Sequence, residues 1–303
     1  MDEAKKAAFV AVVGRPSAGK STLVNLLCGA KVAIVSPVPQ TTRNAIRGIV
    51  NGERGQLVLV DTPGIHISEK KLNRKLLETA GRSAAESDLV LYLLDASRPP
   101  GLEEAAVADS LLPYTERLIT AINKTDHPGA DLTKAQGFLQ TRFPGLPDDR
   151  RFQISALNNQ GVPKLLDRLF DLAPPEEALY PEEYYTDQDL GFRIGEIIRG
   201  EAINRLRQEL PHALYVEVAD TELRDAPGGK QRLWVRAFII TERESQKGMI
   251  VGKGGEMIKA IGEAARKELN RILDWKVELD LRVKTGKDWR HNDRILRKLT
   301  DRS

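Results

Sequence analysis

Short apolar runs alternate with amphipathic stretches over the first 170 or so residues. Runs at 9–13, 56–60 and 118–122 are almost unbroken in Val, Ile, Leu, Ala and Phe. Such runs suit strands buried on both faces. Segments 45–50 and 151–154 are shorter candidates of the same kind. Between them lie helical patterns. Residues 22–27 open one, and at 161–172 Val162, Leu165, Leu166, Leu169 and Phe170 can share a face. Strands alternating with helices predict an α/β domain with a mostly parallel sheet, helices on both faces and ligand at the strands' C-terminal ends.

The pattern changes after Ala173. Residues 174–190 carry Glu176, Glu177, Glu182, Glu183, Asp187 and Asp189 without a single Lys or Arg, and Pro181 interrupts them. This is linker composition. A helix is predicted at 191–209, stopped by Pro211, then strands at 213–219 and 232–241 joined by a flexible turn at 225–230. A short helix at 245–251, a Gly-rich turn, a helix at 257–273 and a strand at 276–283 complete the chain. The expected organisation is a first domain at 1–173, a linker at 174–190 and an α-β-β-α-α-β domain at 191–303.

Length and composition support two cores, since the 303 residues are 41% hydrophobic and 29% charged. No apolar run approaches the roughly 20 residues of a membrane span, and no signal-peptide h-region precedes the first strand. The single cysteine, Cys28, excludes an internal disulfide and suits a reducing cytoplasm. It is expected to be a small core residue rather than a nucleophile. The net charge of +3 hides a bias: residues 241–303 hold 16 Lys/Arg against 11 Asp/Glu. That basic excess would suit nucleic acid.

The first candidate site follows the first strand. Gly14-Arg15-Pro16-Ser17-Ala18-Gly19-Lys20-Ser21, with Thr22 in the next helical turn, is a complete G-x-x-x-x-G-K-S loop between a strand and a helix. Its glycines let backbone N–H groups converge on phosphate oxygens at a helix N-terminus. Lys20 is expected to neutralise the outer phosphates and Ser21 to ligate Mg²⁺.

Asn123-Lys124-Thr125-Asp126, ending the strand at 118–122, selects the base. The Asp126 carboxylate can accept from guanine N1–H and its exocyclic amine, a donor pair adenine lacks. Asn123 and Lys124 are expected to brace the loop. Ser155-Ala156-Leu157 fits a loop whose backbone N–H supports the guanine O6. Asp61-Thr62-Pro63-Gly64 ends the strand at 56–60. Asp61 there can hold Mg²⁺ through water, and the Gly64 N–H can reach the γ-phosphate. Gln40-Thr41-Thr42-Arg43 should supply a threonine hydroxyl to Mg²⁺, with Thr42 favoured and Thr41 the alternative. Water attack on the γ-phosphate of GTP, giving GDP, is then expected to rest on Lys20, Thr42 and Gly64.

The second candidate site is Ile250-Val251-Gly252-Lys253-Gly254-Gly255, followed by Met257 and Ile258. A G-x-x-G turn between two helices is the clamp by which KH domains hold about four single-stranded nucleotides. Lys247, Ile250, Val251, Gly252, Lys253, Gly254, Gly255 and Ile258 are the expected RNA-binding residues. Ile250, Val251, Ile258 and Ile261 are expected to form the apolar bed beneath. Trp289, Arg290, His291 and Arg294 could extend the RNA surface, but the favoured reading is that Trp289, Ile295 and Leu296 pack a terminal helix onto the domain.

Together these motifs resemble the Era family of bacterial GTPases over nearly the whole chain, especially Gln40-Thr41-Thr42-Arg43 and Asp61-Thr62-Pro63-Gly64 with a type II KH domain behind them. The resemblance implies binding to the 3′ end of small-subunit ribosomal RNA, a function in small-subunit assembly, and peripheral contact with the inner membrane; a monomer is expected. Ile65 stands where Ras-like proteins carry a water-orienting glutamine, so slow intrinsic turnover is expected. Ser17 stands where the family usually has the asparagine that helps bind potassium, which leaves potassium dependence open. The same features would also suit a GTP-gated RNA chaperone with negligible turnover, or a GTPase partnered with an RNA-modifying enzyme.

Overall fold

The computed structural model of the chain describes residues 4–36, 38, 41–64, 71–206, 210–287, 289 and 292. They divide into two compact units, and the chain passes from the first to the second between Asp187 and Gln188.

The first unit holds six strands: β1 (Lys6–Val13), β2 (Ile46–Gly52), β3 (Gly55–Asp61), β4 (Leu89–Asp95), β5 (Leu118–Asn123) and β6 (Arg151–Gln153). They form one sheet in the order β2-β3-β1-β4-β5-β6. Only β2 is antiparallel to its neighbour; the other pairs are parallel. The central strands are buried on both faces, which is why their sequences are continuously apolar; every position of β4 is buried. Helices α1 (Lys20–Cys28) and α5 (Val162–Leu172) cover one face, where Val10, Val12, Leu23, Val24, Leu165 and Leu169 meet. Helices α2 (Lys71–Glu86), α3 (Leu102–Leu111) and α4 (Leu132–Arg142) cover the other, around Val13, Tyr92, Leu94, Val107, Leu111 and Phe143. Cys28 packs against the first face, and burial pushes its thiol up to about 12, so it is an inert core residue.

The acidic stretch at 174–187, expected as a linker, lies along the edge of this sheet. Ile49 N donates to Tyr185 O at 3.0 Å, Thr186 Oγ1 to Arg47 O at 2.8 Å, and Arg47 pairs with Asp187 at 2.8 Å. Gln56, almost fully buried, accepts from Leu179 N and Tyr180 N and donates to Tyr180 O, each at 2.9 Å. The stretch therefore occupies an otherwise open edge strand. Its acidity hid this, because backbone groups and one glutamine make most of the attachments.

The second unit runs α6 (Leu190–Arg205), β7 (Leu214–Ala226), β8 (Lys230–Thr241), α7 (Glu244–Val251), α8 (Glu256–Ile272) and β9 (Lys276–Thr285). This is the expected α-β-β-α-α-β order. The sheet order is β7-β8-β9, with β8 and β9 parallel and the helices over one face. Ile194, Ile198, Leu214, Val235, Ile239, Ile250, Ile261 and Leu269 form the core. Two boundaries differ from the sequence pattern. Helix α6 ends at Arg205, and residues 207–209 lie outside the described residues. Strand β7 continues past 219 through a bulge between Val218 and Asp220, so the expected flexible connection is a hairpin turning at Gly228 and Gly229. The far end of β7 is exposed and polar, and its pairing with β8 holds it rather than burial.

Candidate functional site

The C-terminal ends of β1, β3, β4 and β5 converge on the loops that carry the first set of motifs. In the phosphate loop Gly19 has φ +97, and a Cβ there would lie 2.3 Å from Asn123 Nδ2. Only glycine satisfies both conditions. Gly14 is equally constrained by space, since a Cβ would meet Leu93 O at 2.4 Å. Ser17 is half-buried in the left-handed region at φ +63. Gly19 also starts α1 without a side-chain cap, which leaves the first-turn N–H groups free for an anion. Lys20 is buried, and its Nζ donates to Gly14 O and Arg15 O, both at 3.0 Å. Burial lowers its pKa to about 8, against the opposing pull of Asp61 and Glu104.

Three hydroxyl and carboxylate groups meet beside Lys20. Ser21 Oγ donates to Asp61 Oδ2 at 2.6 Å and lies 3.1 Å from Thr42 Oγ1, which itself reaches Asp61 Oδ2 at 3.4 Å. Of the two candidate threonines, Thr42 is the one that joins Ser21 and Asp61. The other Asp61 oxygen, Oδ1, is buried without a hydrogen-bond partner. Burial raises the Asp61 pKa, opposed by Lys20 and the two hydroxyls. An orphaned carboxylate oxygen beside a set of hard oxygen donors fits Mg²⁺. Thr62 is anchored by its N and Oγ1 to Val12 O, at 3.4 and 2.8 Å. Gly64 lies against the phosphate loop so closely that a Cβ would be 2.6 Å from both Cα and N of Pro16. Gln40 and Ile65 lie outside the described residues.

The base-reading motif is held by the same structure. Asn123 donates to Ala18 O at 2.8 Å and accepts from Ala156 N at 2.9 Å, so one side chain clasps the phosphate loop to the 155–157 loop. Lys124 adopts φ +63, and its Nζ donates to Asp95 Oδ2 at 2.8 Å. Asp126 is exposed at the rim, as is Leu157, while Ser155 and Ala156 are buried behind it. Asp95, Glu104 and Asn25 were not singled out from sequence. Asp95 ends an apolar strand, the one visible hint. Asn25 Oδ1 accepts from Val32 N and Ala33 N, at 2.9 and 2.8 Å, fixing the start of the loop towards Thr42.

In the second unit, α7 gives way to the glycine turn at Gly252, φ +74. A Cβ there would lie 2.8 Å from Met257 Cβ. Gly254 and Gly255 have φ +61 and +83, and a Cβ at either would meet nothing within 4 Å. Room therefore remains for a ligand backbone beside exposed Lys253. One expectation needs correction here. Ile250 and Ile261 are fully buried, so Ile250 is core and not an RNA contact, whereas Val251 and Ile258 are only half-buried. Lys247 is half-buried and pairs with Glu244 at 2.7 Å. Trp289 is fully buried, donates Nε1–H to Ala213 O at 3.2 Å and packs edge-on to Tyr215, in line with the packing reading and not with base stacking. Arg290, His291, Arg294, Ile295 and Leu296 lie outside the described residues. Among the described residues no helix is long and apolar enough to cross a membrane, and no His/Cys/Asp/Glu cluster could hold a further metal.

Residues 9–124 match the family described as "50S ribosome-binding GTPase", and residues 199–290 match the KH domain family. The fold and its site thus define a phosphate-loop GTPase joined to a KH domain. GTPase Era of Treponema denticola is 50% identical over 293 residues, covering 96% of this chain and 98% of that protein. GTPase Era of Borreliella burgdorferi is 40% identical, covering 97% and 99%. A crystal structure of Era with MgGDPNP and nucleotides 1506–1542 of 16S ribosomal RNA superposes with a TM-score of 0.90 at 33% identity, over 97% of this chain and 98% of that one. An Aquifex aeolicus Era variant bound to GDP·AlF4⁻ matches with the same values. The chain belongs to the Era family of GTPases.

Proposed function

We propose that this GTPase couples hydrolysis of GTP to the holding of a single-stranded, 3′-terminal segment of small-subunit ribosomal RNA, in cytoplasmic assembly of the small ribosomal subunit. The observation that carries the reading is convergence. Phosphate and base positions from separate stretches of sequence are clasped together by Asn123, with the Ser21, Thr42 and Asp61 metal position beside them, while an open glycine turn with an exposed lysine stands in the second unit. An Era crystallised with both MgGDPNP and 16S ribosomal RNA supports the pairing of the two ligands.

In this reading Ser21 and Thr42 would hold Mg²⁺, with Asp61 behind it through water, and the bound metal would supply neutralising charge to the outer phosphates. Lys20 exchanges its two carbonyl partners for phosphate oxygens. Asp126 accepts the guanine donors, with the Ser155-Ala156-Leu157 backbone beside O6. Gly64 donates its N–H to the γ-phosphate once the loop closes. Gly64→Ala tests that last step, because its methyl would strike the Pro16 backbone. Single-turnover hydrolysis should fall about 10²–10³-fold, the loss of one preorganised donor. GDP affinity should change less than about twofold, since no γ-phosphate is present. An unchanged rate would remove Gly64 from the chemistry.

The whole reading is tested by crosslinking the GTP-bound protein to total cellular RNA and sequencing what is trapped. Enrichment of the 3′ end of small-subunit ribosomal RNA is the expected result. Enrichment of transfer or messenger RNA instead would leave the GTPase standing and overturn the assembly reading. Single-turnover assays with and without that RNA separate a hydrolytic switch from a chaperone with negligible turnover.

A further inference from the structure

Beneath the nucleotide site lies a buried charge cluster that none of the motifs accounts for. The Arg15 side chain leaves the phosphate loop away from the phosphates, nine-tenths buried, and its Nε lies 3.0 Å from Glu104 Oε2. The other Glu104 oxygen accepts from Tyr92 OH at 2.5 Å. Arg15 Nη2 lies 3.8 Å from Asp95 Oδ2, the oxygen that holds Lys124 Nζ at 2.8 Å. Asp95 Oδ1 is itself fixed by Ser97 N and Oγ, at 2.9 and 2.5 Å. With Lys20 and Asp61 close by, three cations face three carboxylates.

Isolated burial of such charges is costly, and removing one partner leaves the others uncompensated. The cluster also has a direction. Lys124 stands at φ +63, a conformation that a non-glycine residue keeps only where its surroundings enforce it. Main-chain bonds from Thr125 N to Ile154 O and from His127 N to Lys124 O hold that backbone, Asp95 holds the Lys124 side chain, and Arg15 is the cation behind Asp95. Neither Nε nor Nη2 of Arg15 meets a carboxylate along a hydrogen-bond line. The attraction is therefore one of charge and tolerates small shifts of the loop. Meanwhile the Arg15 carbonyl is one of the two acceptors for Lys20 Nζ. One residue thus has its backbone in the phosphate site and its side chain under the base loop.

We infer that Arg15 is a positioning residue for base recognition: held by Glu104, it braces Asp95 and through it Lys124, so that the phosphate loop sets the pose of the loop that reads guanine. The inference rests on residues 123–126 being that loop. By linkage, filling the phosphate site and filling the base site then reinforce one another. Arginine suits the position because its charge is spread over a planar group that reaches both Glu104 and Asp95, whereas lysine presents a single point charge.

The test measures GDP and IDP dissociation constants for the full-length protein, since IDP lacks the exocyclic amine and neither is hydrolysed. Arg15→Gln should weaken GDP more than IDP and cut the GDP-over-IDP preference about tenfold, the size of one weakened hydrogen bond to a charged group. Arg15→Lys should restore the preference only in part. Asp95→Asn should lower it similarly, and Arg15→Gln added to Asp95→Asn should lower it no further. If Arg15→Gln weakens both nucleotides by one common factor, the side chain serves the phosphate loop alone and the inference is overturned. Melting of the nucleotide-free variants identifies any folding defect, in which case Arg15→Lys and Asp95→Asn decide. Asp126→Asn is the control: an unchanged preference there would overturn the base-loop reading itself, whereas a collapse there beside unchanged Arg15 variants overturns only the bracing.

Discussion

Asp126→Asn is expected to weaken GTP and GDP about 10²–10⁴-fold, the size of two hydrogen bonds to a charged acceptor, and to admit xanthine nucleotides in their place. The geometry makes this a clean exchange. Asp126 is exposed at the rim, while the loop that carries it is fixed by Asn123 to Ala18 and Ala156 and by Lys124 to Asp95. An asparagine there keeps the shape but offers one acceptor and one donor instead of two acceptors. Guanine's paired donors then meet an N–H group, whereas the 2-carbonyl of xanthine finds a partner. Folding should barely respond, because no core contact is lost. Fluorescence titration with GDP and XDP reads both arms in one experiment. Retained preference for GDP with no gain for XDP would remove Asp126 from base recognition and shift attention to the 155–157 backbone.

What sequence makes legible here depends on whether a feature is local. The central strands declare themselves where burial on both faces demands unbroken apolar residues, as in β5, whereas β4, equally buried, is not among the strands read from the sequence. The phosphate loop and the 123–126 loop are legible because their spacing is dictated by the ligand. Side-chain partners from distant stretches are not. Nothing in the sequence says that Arg15 turns away from the phosphates, or that Glu104 is buried against Tyr92. Adjacent Thr41 and Thr42 are chemically alike, and only the path of the loop brings Thr42 to Ser21. The stretch at 174–187 is acidic and proline-broken, yet it binds the β2 edge through main-chain groups that composition does not record. The second half of β7 is polar for a related reason: hydrogen bonding to β8 holds it, with no helix burying it.

The second large effect belongs to the glycine turn of the KH unit. Changing Lys253 and Gly254 together to Asp should reduce binding of single-stranded ribosomal RNA about 10²-fold or more, because phosphates would approach new like charges. GTP and GDP affinity should be unchanged, since the nucleotide groups lie in the other unit. The choice of positions matters. Lys253 is exposed, and Gly254 has open space around it at φ +61, a left-handed value that aspartate adopts more readily than most side chains. Stability should therefore fall by no more than about 1 kcal/mol. Gly252 would be a poor target, because a Cβ there meets Met257 Cβ at 2.8 Å and its backbone N at 2.9 Å, distorting the turn itself. Titrating a labelled RNA over a range of salt distinguishes the causes. Loss of phosphate contacts should flatten the salt dependence as well as lower the affinity. RNA binding that survived the double change with its salt slope intact would move the clamp off residues 252–255, and the basic C-terminal segment would be the next place to look.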